Sequence, residues 1–257
     1  MINFYPLFSG SKGNCLLIKS SQANILVDVG VSFKRLKEAL ISLNLTTEDI
    51  DAIFITHEHK DHCSAVPQIL KRTNIKVYAT AGTIKGLNSP GDNYIEIDNL
   101  DAIQIKNLKV THYPTSHDCI DPCGYIVEGE DKKISISTDL GVMTQEILNK
   151  LENSDLVYIE SNHDVNMVKV GPYPYSLKMR VLGSTGHLSN ADCSKAICHL
   201  AQNGVKNFIL AHLSSENNMP EIALETTLCE LCKNKINVAN LNINVATQEL
   251  TTEAFKL

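Results

Sequence analysis

The chain has no tryptophan, and only three of its 23 basic residues are arginine (Arg35, Arg72 and Arg180). Guanidinium forks that grip phosphate bidentately are therefore scarce. Aromatic residues make up 5% of the sequence, so no base-stacking platform is evident from it. Apolar runs stay well short of the roughly eighteen residues that a membrane-spanning helix needs, which excludes that class of protein. The amino terminus, MINFYPLFSGSKGN, lacks a basic head followed by a long apolar stretch. It does not read as a secretory signal, and a cytoplasmic protein is expected. Low-complexity tracts, charge blocks and internal repeats are missing too, which sets aside disorder and repeat architectures. The formal net charge is −6. The global field thus repels polyanions, and a nucleic-acid partner would need a local basic strip or bound metal cations.

What is present is ordinary globular composition, 43% hydrophobic and 20% charged over 257 residues. Strand-like runs at 14–19, 24–29, 52–56, 75–80, 108–113, 123–128, 132–138, 155–161 and 207–211 alternate with helical patterns at 32–43, 63–72, 144–152, 190–203 and 220–234. This alternation predicts an α/β protein with two sheets packed between helices. No Pro/Gly-rich linker divides the chain, so one domain over 1–257 is expected. The eight cysteines read as buried or free thiols in a chain of this length without a signal. Cys229-x-x-Cys232 has redox or zinc spacing, but it falls inside the predicted helix 220–234 without a second such pair, which favours a structural reading.

The informative segment is Thr56-His57-Glu58-His59-Lys60-Asp61-His62, which takes three of the chain's nine histidines. It follows directly on the buried strand 52–56, where the backbone is fixed and side chains fan outward. His57 and His59, two apart, point the same way and can share a metal; Asp61 and His62, adjacent on a turn, can aim at a second. Imidazole and carboxylate without thiolate suit Zn²⁺, Mn²⁺ or Fe²⁺. Four donors cannot saturate two ions, so others are expected at further strand ends. Asp139 follows the strand 132–138, His212 follows 207–211, and His117 follows 108–113. A carboxylate in the position of Asp139 can bridge two ions.

With these residues in hand, the sequence resembles the metallo-β-lactamase-fold hydrolases. HEHKDH, then His117, then Asp139 in STDLG, then His212 match the order of that superfamily's metal motifs; SGSKGN (9–14) and VDVG (27–30) precede them as they should. In detail it is most similar to the YycJ (WalJ) family, on SGSKGNC, ESNHD (160–164), GPYPYSLKMRVLGSTGHLSN (171–190) and AHLSSENNMP (211–220). The resemblance spans essentially the whole chain. It implies a four-layer αββα sandwich and two divalent ions per chain, zinc or manganese, with iron a further option. It implies His57, His59 and His117 on one ion, Asp61, His62 and His212 on the other, and Asp139 bridging. His at position 59 argues for hydrolysis rather than the diiron oxygen-reducing branch. Only 72 residues separate Asp139 from His212, too few for the inserted domain of the β-CASP nucleases. The 45 residues after His212 likewise leave no room for a glyoxalase II-like helical domain.

The resemblance further implies phosphodiester hydrolysis, with nucleic-acid ends as the substrate favoured over a small or cyclic phosphodiester. A regulatory binding protein that keeps the metal site is the reading from another class, and the intact donor set disfavours it. Asp61 and His187 are the expected catalytic residues, His187 in GHLSN as the proton donor to the leaving alkoxide. His163 is the competitor for that role and, with Lys178 and Arg180, a candidate substrate contact. Two roles stay open for Asp28, acceptor from a ligand histidine or turn capping. Two also stay open for the turn Ser9–Asn14, anion binding or a tight strand connection.

Overall fold

A computed structural model describes residues 1–89 and 91–257. The chain runs β1 (Asn3–Phe8), β2 (Cys15–Lys19), β3 (Asn24–Val27), α1 (Phe33–Ser42), β4 (Ala52–Phe54), α2 (Lys60–Cys63), α3 (Val66–Arg72), β5 (Lys76–Ala79), α4 (Ala81–Leu87), β6 (Tyr94–Glu96), β7 (Ile103–Ile105), β8 (Leu108–Pro114) and β9 (Cys123–Gly129). It continues as β10 (Lys132–Ser137), α5 (Gln145–Leu151), β11 (Leu156–Glu160), α6 (Val165–Val170), α7 (Tyr175–Val181), α8 (Asn190–Gln202), β12 (Asn207–Ala211), α9 (Pro220–Lys233), β13 (Asn242–Val245) and β14 (Phe255–Lys256). Contacts divide it into two units, residues 1–114, 119–132 and 247–257 in the first and 115–118 and 133–246 in the second.

The first unit holds a mixed sheet in the order β14-β1-β2-β3-β4-β5-β6 and the antiparallel meander β7-β8-β9. Antiparallel pairing joins β1, β2 and β3, after which β3, β4, β5 and β6 run parallel. Parallel neighbours need crossovers, and helices supply them. Ser32 caps α1 by accepting from Arg35 N, as the serine at the start of the apolar stripe predicts. Leu36, Ala39 and Leu40 of α1 then bury against Leu17, Leu26, Ile53 and Val77 of the strands.

The single helix expected at 63–72 is two. Pro67 has no N–H to offer the carbonyl of Cys63, so the chain restarts as α3 and leaves α2 as one isolated turn. That turn carries Asp61 and His62.

In the second unit β10, β11, β12 and β13 are all parallel, with Ser137 opposite Ile159 and Ile159 opposite Leu210. β10, β11 and β12 therefore end level. The residues that follow them, Asp139, Glu160 at the tip of β11, and His212, come out at one edge, where open α/β sheets place their chemistry. Helix α8 covers this unit with Cys193, Ile197 and Leu200, all buried.

Candidate metal centre

In the first unit the end of β3 and the end of β4 are stitched together by one carboxylate. Asp28 Oδ1 accepts from Thr56 N at 2.9 Å and both its oxygens lie within 3.0 Å of Thr56 Oγ1. Asp28 Oδ2 accepts the Nδ1 hydrogen of His62 at 2.7 Å. That bond fixes the tautomer and leaves His62 Nε2 as the ring's acceptor, 3.0 Å from Asn14 Nδ2 and 3.6 Å from Asp61 Oδ2. Asp28 thus acts as acceptor from a predicted ligand histidine. His57 Nε2 and His59 Nδ1 are 3.1 Å apart. Two zinc–nitrogen bonds at a tetrahedral angle would hold their nitrogens roughly 3.3 Å apart, so the pair fits a shared ion. Asp61 is partly exposed beside them, whereas His57 and His62 are buried.

The loop's backbone is braced from below. Asn14 N donates to Asp61 O at 2.7 Å, Gly30 N to Asn14 O at 2.8 Å, and Val29 N to His62 O at 2.8 Å. Gly30 admits this approach because a Cβ there would lie 1.6 Å from Asp61 O. The turn Ser9–Asn14 therefore serves as a connection that supports the histidine loop. Glu58, the residue between the two loop histidines, faces away and accepts from Ile120 N through Oε1 at 2.8 Å.

The second unit brings together Asp139, Glu160, His187 and His212, each offering a ligand atom within 4.8 Å of the others. Glu160 Oε1 accepts the Nδ1 hydrogens of His187 at 2.9 Å and His212 at 2.8 Å, while its Oε2 accepts from Leu140 N and Leu188 N, both at 3.1 Å. With Nδ1 so engaged, both rings keep Nε2 as their ligating or proton-carrying atom. Asp139 Oδ1 sits 3.4 Å from His187 Nδ1 and 3.7 Å from His117 Nε2. His117 donates its Nδ1 hydrogen to Gly186 O at 2.9 Å.

Electrostatics here are those of buried carboxylates among imidazoles. Burial pushes the Glu160 carboxyl up, but His187 and His212 outweigh it and hold the group below the usual range. Burial lowers the His187 pKa, and the Glu160 and Asp139 charges reverse this to a net rise. At His117 burial dominates and the pKa falls. Imidazole nitrogens beside buried carboxylates are ligands suited to a divalent ion, so the residues present fit the expected group.

Glu160 was not among the predicted donors. In the sequence it is only the acid that ends a strand before SNHD, and the signal was its level position with Asp139 and His212. Other predicted contacts are placed differently. His163 is buried, its carbonyl accepting from Asn190 N at 2.9 Å and its Nδ1 3.3 Å from Asn162 Oδ1. Arg180 forms a forked ion pair with Asp118, and Lys178 Nζ donates to Lys169 O at 2.7 Å.

Asp28, Asp139 and His212 share a backbone feature: φ is 60°, 56° and 54°, in the left-handed region. Each directly follows or nearly follows a parallel strand, and the turn aims the side chain off the sheet edge. Such conformations cluster at functional sites.

Residues 23–213 match the model of the beta-lactamase superfamily domain. The chain belongs to the beta-lactamase superfamily. Within it, the chain is 33% identical over 243 residues to the exodeoxyribonuclease WalJ of Streptococcus pneumoniae serotype 2, covering 90% of this chain and 89% of that one. It is 31% identical over 227 residues to the exodeoxyribonuclease YycJ of Bacillus anthracis, covering 86% of each. Among solved structures, the metallo-β-lactamase fold protein YhfI from Bacillus subtilis superposes over 100% of both chains with a TM-score of 0.72 at 14% identity. The family resemblance and the α/β metallo-β-lactamase fold read from the sequence are both borne out. No helix among the described residues is long and apolar enough to cross a membrane.

Proposed function

We propose that the chain is a cytoplasmic, metal-dependent exonuclease that hydrolyses phosphodiester bonds at DNA ends. The carrying observation is the match, at 33% identity over 90% of the chain, to a protein named exodeoxyribonuclease. The buried clusters of imidazoles and carboxylates in each unit support it. His57, His59, Asp61, His62, His117, Asp139 and His212 are the residues that would hold two divalent ions, zinc or manganese. Such ions supply a hydroxide near neutral pH and polarise a phosphoryl oxygen.

The protein's own groups do the rest. Asp28 and Glu160 hold His62 and His212 by Nδ1 so that Nε2 is presented. His187, mostly buried with its side chain 20% exposed and fixed by the same Glu160 oxygen, carries a proton on Nε2 in its charged form. The Glu160 and Asp139 charges favour that charged form, and its proton would go to the departing alkoxide, a contribution of typically 10²–10⁴-fold.

Metal-loaded protein assayed on 5′- and 3′-labelled oligonucleotides beside bis(p-nitrophenyl) phosphate tests this. Progressive shortening of the oligonucleotides in Mn²⁺ is expected, with about two ions per chain by elemental analysis and with Asp139→Asn far less active than Cys63→Ser. Turnover of the small ester with no oligonucleotide cut at high enzyme concentration overturns the nuclease reading in favour of a small phosphodiester.

A further inference from the structure

The stretch 165–191 contains no aspartate or glutamate, although the whole chain is acidic with a formal charge of −6. Its ionised side chains are Lys169, Lys178 and Arg180. The same stretch exposes apolar surface: Val170 is 86% exposed, Tyr175 79% and Met179 53%. Among the described residues no other tyrosine or phenylalanine is exposed to this degree, and Tyr113, Tyr125, Tyr158, Phe54 and Phe208 are fully buried or nearly so. An exposed tyrosine beside lysines, in an acid-free segment of an acidic protein, is a local departure from the rest of the surface.

The hairpin is stiff. Pro172 and Pro174 flank Tyr173, and Pro174 precedes the first residue of α7, which is Tyr175. Proline fixes its own φ and restricts the residue before it, so the link from α6 to Tyr175 at the start of α7 has little conformational freedom. Tyr175 and Met179, four apart on α7, form one ridge. Arg180 is engaged by Asp118, which leaves Lys169 and Lys178 as the hairpin's cations. Lys178 Nζ donates to Lys169 O at 2.7 Å, bringing the two residues together, and an ammonium has two further hydrogens to give.

The hairpin also reaches the catalytic cluster within its own unit. His187 N donates to Val181 O at 3.1 Å and Gly186 N to Gly183 O at 2.9 Å. A Cβ on Gly186 would lie 2.2 Å from Arg180 O, so α7 is seated directly against the turn that carries His187.

We propose that the α6–α7 hairpin is the binding face for a single-stranded segment of nucleic acid, one base stacking on Tyr175 and the phosphates meeting Lys169 and Lys178. This deepens the nuclease reading and rests on it. Single strands fit because a lone exposed aromatic face stacks on an unpaired base, and two cations suffice to track a short backbone segment. A duplex keeps its bases stacked inside and offers Tyr175 only the outer faces of its two terminal pairs.

Binding measured by fluorescence anisotropy, with a labelled oligothymidylate and a blunt duplex of equal length in EDTA, separates capture from cleavage. Tyr175→Ala is expected to weaken oligothymidylate binding by about 5- to 100-fold, and the duplex little. Tyr175→Phe should retain wild-type affinity. The double variant Lys169→Gln, Lys178→Gln should weaken binding and reduce the slope of log K against log salt by about 1.4. Thermal unfolding of each variant checks the fold. Unchanged oligothymidylate binding by Tyr175→Ala, or equal losses on single strand and duplex, overturns the hairpin assignment. If wild type still cuts oligonucleotides in that case, the nuclease reading stands without it. A wild type that neither binds nor cuts overturns both.

Discussion

Asp28 and His62 are 34 positions apart in sequence, yet the carboxylate of one holds the imidazole of the other at 2.7 Å, with both side chains buried. The bond makes Nε2 the only nitrogen of His62 that can ligate. Asp28→Asn keeps the volume and tolerates the left-handed backbone but removes the charge. Metal affinity, measured by competition with a chromophoric chelator, should fall by about 10- to 100-fold. Unchanged affinity would mean that Asp28 serves the turn alone.

His187 and His212 share the Glu160 oxygen but should fail differently. His187→Ala is expected to keep its metal and fold while losing turnover by at least about tenfold, and less on esters with good leaving groups. His212→Ala should lose metal. Elemental analysis together with a leaving-group series decides; metal loss from His187→Ala, or equal losses across leaving groups, removes the proton-donor role.

Glu160→Gln should combine both defects. The amide has a single accepting oxygen: with that on the two Nδ1 hydrogens its NH₂ opposes Leu140 N and Leu188 N, and flipped it opposes both imidazoles. A fall in both metal affinity and kcat is expected, with Glu160→Asp recovering neither because the shorter arm cannot span both rings. Wild-type metal content in Glu160→Gln would show that His212 is oriented by other means.

Gly30→Ala tests the brace beneath the histidine loop. A methyl group placed 1.6 Å from Asp61 O forces the backbone apart. Urea unfolding of the metal-free protein should show a loss of about 3 kcal/mol or more, and metal binding should weaken in step.

Burial holds the His163 pKa below its ordinary value of 6.5. The folded value lies under the unfolded one, so its contribution to stability is complete above pH 6.5 and is lost as pH falls through the folded value. In chelator, wild type should therefore lose more stability than His163→Asn between about pH 7.5 and pH 5. Parallel losses would place the acid sensitivity elsewhere.

Most of the candidate metal donors were legible because their signal is local: a histidine or aspartate just past the end of a strand-like run. Thr56–His62, Asp139 and His212 all have it. The strand 207–211 and the helices beginning after Ser32 and Ser189 were legible for the same reason, since caps and apolar periodicity sit within a few residues. Glu160 lacked a local signature; its role is made by two imidazoles 27 and 52 positions away. The hairpin 165–181 escaped as well, because Gly171, Pro172 and Pro174 break the helical period into pieces of six and seven residues. β1 reads poorly from sequence because Pro6 interrupts its apolar alternation.

The left-handed backbone at Asp28, Asp139 and His212 bears on how such a site can change over generations. Few residues other than glycine tolerate that conformation, and asparagine, aspartate and histidine lead them. Two of these three are also the side chains that bind divalent ions through oxygen or nitrogen. Backbone sterics and ligand chemistry therefore screen for the same short alphabet at these points. A drifting sequence would be filtered back towards metal donors even before catalysis is selected, and replacements among Asp, Asn and His are the exchanges such positions should accept with least cost to the fold.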